Sequence, residues 1–112
     1  MQLITPEVSK ALARFPLGSQ DSLGDGARVV VKFFFPAGRY TLFVTEAEKQ
    51  EDGDYLFFGY CLSPFGADCD EWGYTALSEL ASLNIRGLGI ERDICVEPAA
   101  ETVRELLERT AA

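Results

Sequence analysis

The chain has 112 residues, a formal net charge of −8 and no histidine. That length suits one domain spanning 1–112, and a hydrophobic content of 47% is enough to build a core, which excludes a disordered chain. Without histidine, Ser-His-Asp and Cys-His catalysis, histidine metal sites and the usual neutral-pH general base are also excluded.

In chain order, Thr5, Pro6 and Glu7 form a helix start: a hydroxyl cap, a proline at the first helical position and an acid in the first turn. Val8, Leu12 and Phe15 continue at helical spacing until Pro16 and Gly18 end it, and 18–26 reads as a loop. Arg28 to Phe35 is β-branched and aromatic with a period of two, which predicts a central strand. A turn at Pro36, Ala37 and Gly38 leads to a second strand over Tyr40 to Thr45. After a further turn around Glu51, Asp52, Gly53 and Asp54, Tyr55 to Leu62 supplies a third strand, completing a meander.

Ser63 to Glu71 is a second polar loop, and Trp72 to Tyr74 a short extended piece. Thr75 is placed to cap a helix from Ala76 to about Leu83, with Leu77, Leu80 and Ala81 as its apolar stripe. Ile90 to Val96 reads as another strand, with Ile90, Arg92, Ile94 and Val96 facing inward. Pro98 opens a last helix that buries Val103, Leu106 and Leu107 and pairs Glu105 with Arg109. The expectation is an α+β domain: an antiparallel meander of four to five strands with two or three helices packed on it.

The longest apolar runs are far shorter than the roughly twenty residues that cross a bilayer. The N-terminus lacks a basic region followed by an apolar stretch and a cleavage site, so a cytoplasmic location is expected. Cys61, Cys69 and Cys95 form no C-x-x-C pair, which argues against a zinc site or a disulfide framework. They are expected as reduced thiols packed like small hydrophobes.

Charge is unevenly distributed: plus two over residues 1–45, minus nine over 46–97 and minus one over 98–112. Such a middle is repelled by nucleic acid and anionic lipid and attracted to basic protein surfaces. The candidate protein-binding residues are Glu46, Glu48, Glu51, Asp52 and Asp54 in the predicted hairpin turn, with Asp68, Asp70 and Glu71 from the next loop. Charge in a turn is expected simply for solvation, and an array that mimics phosphates needs the acids on one face, because exposed charges beyond about 8 Å act almost independently.

The alternative is a metal-dependent nuclease in which Glu71, Glu79, Glu91 and Asp93 converge on a divalent ion. Against it, Lys10, Lys32 and Lys49 follow Val8, Val30 and Ala47 at two positions' distance, so an acid-x-lysine element is missing. No cofactor is implied. Arg92, between Glu91 and Asp93, is expected to be buried or half-buried and paired with a carboxylate such as Glu79, in preference to binding an anion. The aromatic residues lack the basic groove that a base-stacking platform needs, so most are assigned to the core, with a few surplus rings left for a protein-binding patch.

The ordered set Val31-Lys32-Phe33-Phe34, Thr45-Glu46, Phe57-Phe58-Gly59-Tyr60, Gly73-Tyr74 ahead of Ser78-Glu79-Leu80, and Ile90-Glu91-Arg92-Asp93 resembles a family catalogued as a domain of unknown function, number 2958. The resemblance runs from the first helix to about Pro98. It departs from that family at Tyr40 to Phe43, where tryptophans are common, and in the C-terminal helix. The resemblance implies a product of plasmids, phages or integrative elements, where small acidic proteins counter host defence, and some relatives carry the label of a single-stranded DNA endonuclease. The expected function is therefore a non-enzymatic interaction protein of the anti-CRISPR or anti-restriction kind. Its expected partner is a basic, nucleic-acid-binding surface of a host defence complex, with no direct contact to nucleic acid or membrane.

Overall fold

The computed structural model describes residues 1–111. Five strands, β1 (Val31–Phe34), β2 (Thr41–Lys49), β3 (Tyr55–Leu62), β4 (Glu71–Ala76) and β5 (Glu91–Arg92), form one sheet in the order β4-β3-β2-β1-β5. Every neighbouring pair is antiparallel. Helices α1 (Pro6–Leu12), α2 (Leu77–Ser82) and α3 (Val103–Ala111) complete an α+β fold. The chain meanders through β1 to β4, then crosses from the β4 edge to add β5 on the far side of β1.

Alternation of side chains gives the sheet two apolar faces. One carries Phe33, Leu42, Val44 and Phe57 against Val8, Leu12 and Leu80 of α1 and α2. The other carries Phe43 and Leu62 against Val96 and, from α3, Val103 and Leu106. In α1 the sequence signal acts as read: the Val8 amide donates to Thr5 Oγ1 at 3.2 Å. The loop after α1 contains a 3-10 turn at Asp21–Gly26 that lies against α3, where Asp25 pairs with Arg104 at 2.6 Å.

β2 runs past Thr45 to Lys49, so the acids at 46 and 48 belong to a strand and not to the turn. The register passes from Val44↔Gly59 to Glu46↔Phe58, leaving Thr45 as the extra residue of a β-bulge. A Cβ on Gly59 would sit 2.0 Å from the Phe43 carbonyl oxygen, so only glycine allows the two strands to approach at the bulge. Because faces alternate strictly, that extra residue turns Glu46 away from the α1 core and onto the α3 face.

The second half departs further from the sequence pattern. Trp72 to Tyr74 is not a short piece but the middle of β4, paired with β3 along its whole length. α2 is capped from outside: Ala76, not Thr75, occupies the cap position, and Asp54 of the β2–β3 turn accepts from the Ser78 amide at 3.0 Å and the Ser78 hydroxyl at 2.7 Å. β5 stops after two residues because the chain turns at Asp93, whose carboxylate accepts from the Cys95 amide at 2.9 Å. Ile94 is consequently 72% exposed, not inward, while Val96 does reach the second core.

Pro98 does not open α3. Residues 99–103 are held by irregular pairing with 27–29, including Ala99 N–H to Val29 C=O at 2.9 Å and Val29 N–H to Glu101 C=O at 2.8 Å. The helix starts after Thr102, which with Glu105 forms a reciprocal cap. Glu105 is thereby occupied, and Arg109 pairs with Glu101. Of the cysteines, only Cys61 is partly packed, and burial pushes its thiol up; Cys69 and Cys95 are exposed. No helix among the described residues is long and apolar enough to cross a membrane.

Candidate functional site

The eight acids assigned to the interaction surface separate into three kinds of environment. Glu46 is 2% exposed. Its two carboxylate oxygens accept from the Gly18 and Gln20 amides, each at 2.7 Å, so it fastens the loop after α1 to the sheet and presents no charge to a partner. Asp54 caps α2, and its hydrogen bond from the Ser78 hydroxyl is the main reason its carboxyl lies below the usual range.

Asp70 is similarly committed. It receives both guanidinium nitrogens of Arg39, at 2.6 and 2.7 Å, and the Ser63 amide at 2.7 Å. The Arg39 guanidinium holds the Asp70 carboxyl at about 2, well below the ordinary range. The pair ties the β3–β4 loop to the β1–β2 turn. Glu48, Glu51 and Asp52, by contrast, are exposed at the tip of the β2–β3 hairpin, and Asp68 and Glu71 are exposed at the start of β4.

These two exposed groups lie at opposite ends of β3. Seven steps of about 3.3 Å put them roughly 23 Å apart, nearly three screening lengths at physiological salt. The acids therefore do not form one continuous phosphate-like array. What unites them is the strand pair between them: from Gln50 to Ile85 the chain has no Lys or Arg and seven acids, and this stretch makes all of β3, β4 and α2. That edge of the sheet carries an excess of negative charge at both ends, with Lys49 beside Glu48, Glu51 and Asp52 at the hairpin tip.

Between the acidic ends runs a ribbon of aromatic rings. Phe58 and Tyr60 of β3 alternate with Trp72 and Tyr74 of β4 on the α3 face, with centroid separations of 5.0 Å for Phe58–Tyr74, 5.3 Å for Tyr60–Trp72 and 5.7 Å for Phe58–Trp72. Phe33, Phe43 and Phe57 are fully buried, as the core assignment requires. The ribbon is only partly covered, and Tyr74 at its open end is 65% exposed. The sequence pattern predicts only a short extended piece at Trp72 to Tyr74; the absence of any cation over 50–85 is the available signal that this segment forms a surface of its own.

The carboxylates of the nuclease alternative are not brought together. Glu71 and Glu91 stand on the two outer strands, four strand spacings or about 19 Å apart. Glu79 accepts from the Ala76 amide at the start of α2, and Asp93 pairs with Lys32 at 3.3 Å. No group of three or more His, Cys, Asp or Glu side chains that could hold a metal ion occurs among the described residues. Arg92 is half-buried as expected, but it pairs with neither Glu79 nor any other carboxylate among the described residues, and its Nε is buried without a partner. It borders a cavity of about 280 Å³ together with Thr5, Glu7, Asp93 and Glu97.

No curated protein and no solved structure matches the chain. The model of the family described as "Protein of unknown function (DUF2958)" matches residues 3–108, nearly the whole chain, and the protein belongs to that family.

Proposed function

We propose that this protein is a non-enzymatic interaction protein of a mobile genetic element, an anti-defence factor of the anti-CRISPR or anti-restriction kind. It acts in the cytoplasm by occupying a basic, nucleic-acid-binding surface of a host protein. The observation that carries this reading is the 36-residue stretch from Gln50 to Ile85, which has seven acids and no cation and folds into one edge of the sheet. A partner evolved to bind phosphates presents arginine and lysine over tens of ångströms, and two acidic ends about 23 Å apart match such a surface better than they match nucleic acid or lipid.

Only the exposed acids enter the contact on this reading. Glu46, Asp54 and Asp70 hold the scaffold, so changing them confounds binding with folding. The test is a low-salt pull-down with the full chain from cells that contain CRISPR and restriction systems, followed by mass spectrometry of the retained proteins. The expected result is a nucleic-acid-binding protein whose retention falls steeply with salt and is lost on combined reversal of Glu48, Glu51, Asp52, Asp68 and Glu71 to lysine. Retention indifferent to both salt and charge reversal refutes the proposal.

A further inference from the structure

β4 is an outer strand with few of the usual protective devices. Over its six residues it has no proline, no lysine and no bulge, and Glu71 at its start is its one charge. The other outer strand, β5, is only two residues long. The hydrogen-bonding parity of β4 follows from its end: the Ala76 amide donates to Glu79 and is therefore turned away from β3. Ala76↔Leu56 is thus a non-hydrogen-bonded pair, and by alternation so are Tyr74↔Phe58 and Trp72↔Tyr60. Side chains approach closest across such pairs, in agreement with centroid separations of 5.0 and 5.3 Å. The backbone N–H and C=O groups of Trp72 and Tyr74 accordingly point outward.

We infer that β4 receives an extended, arginine-bearing segment of the partner protein, which adds to the sheet as a sixth strand. This inference rests on the preceding reading that the partner is basic. Residues of an added strand opposite Trp72 and Tyr74 are two apart and project onto the aromatic face, so arginines at those positions lie beside the two rings. Guanidinium groups stack on aromatic faces better than ammonium groups do. Glu71 and Asp68 at one end of β4, and Asp21, which shares a cleft with Phe58 and Trp72, supply opposite charge around that stack. The same acids oppose a nucleic-acid strand, whose bases the rings would otherwise accept, and oppose a second copy of a chain with net charge −8.

Trp72 is the only tryptophan, so its fluorescence reports on this surface directly. The probe is a short end-blocked peptide of alternating valine and arginine, titrated into the full-length protein at low salt. The expected result is a change in Trp72 emission, together with shifted and exchange-protected Trp72 and Tyr74 amides. Replacing arginine with lysine in the peptide weakens binding about fivefold, and so does Tyr74→Ala, which alters an exposed side chain. N-methylation of the arginine amides in the peptide blocks strand pairing without touching the protein and lowers affinity at least tenfold.

Peptide binding that leaves the Trp72 and Tyr74 amides unmoved, or that tolerates N-methylation, overturns the β4 assignment and leaves the acidic-surface reading intact. Failure of the arginine and lysine peptides alike to bind at low salt overturns both readings. Protection of the β4 amides that grows with protein concentration in the absence of peptide identifies a second copy as the occupant and overturns the arginine-bearing partner.

Discussion

Replacing Glu46 with glutamine tests whether this acid is an anchor or part of the binding surface. The carboxylate accepts from two backbone amides at 2.7 Å in a site that is 2% exposed. Glutamine retains one acceptor and turns its NH2 group toward the other amide, so one charge-assisted bond is lost and two donors face each other. Such a bond contributes about 1.5–3 kcal/mol, and a buried donor left unsatisfied costs about 1–3 kcal/mol. Since these overlap, a net loss of roughly 3 kcal/mol is expected. With an unfolding entropy of about 2.1 cal/mol/K per residue, a chain of this length loses about 4 °C per kcal/mol, so Tm falls by about 12 °C. Thermal unfolding followed by circular dichroism measures the drop, and amide exchange should show faster opening at Gly18 and Gln20. A Tm change of less than about 2 °C, with those two amides unaffected, would refute the anchoring role.

Gly59→Ala places a methyl group where the Phe43 carbonyl sits, and separating β2 from β3 at the bulge should cost more than about 3 kcal/mol; near-native denaturant stability would show that the strands can part there. Asp70 contributes stability while it is ionised. Its carboxyl titrates at about 2 in the fold and near 3.8 when unperturbed, so that contribution is complete above pH 4 and disappears as pH falls toward 2. Arg39→Gln should raise the Asp70 midpoint in a carboxyl NMR titration and flatten the acid limb of stability; an unchanged midpoint refutes the assignment. At the other extreme, burial pushes the Tyr40 phenol up to about 12. The unfolded chain loses that proton near pH 10, so stability should fall as pH rises from 10 to 12, and Tyr40→Phe should remove this part of the alkaline limb in stability-versus-pH curves.

Local chemistry was legible from the residues because the forces involved act between near neighbours. Thr5, Pro6 and Glu7 start α1, the period of two makes β1 over Val31 to Phe34, shorter than the run from Arg28 to Phe35 because Val29 belongs to the opposite core, and the turn signals at Pro36 to Gly38 and Glu51 to Asp54 close the meander. The same patterns carry the α+β class and the packing of Val103 and Leu106. Two misplacements were also local: the turn that ends β5 at Asp93 and the cap formed by Thr102 and Glu105 have their own short-range signatures, outcompeted by the apolar pattern through Ile94 and by Pro98.

Other features required the assembled sheet. Nothing near Glu46 in sequence distinguishes it from Glu48; only the bulge at Thr45, made possible by Gly59, decides that one carboxylate is buried against the Gly18–Gln20 backbone and the other is exposed. Asp54 and Asp70 are likewise spent on Ser78 and Arg39, partners 24 and 31 positions away. The acidic middle is a property of composition and could be counted from the sequence. Its division into two ends of one strand pair, with Trp72 and Tyr74 on an open edge between them, follows from strand order, which no local interaction specifies.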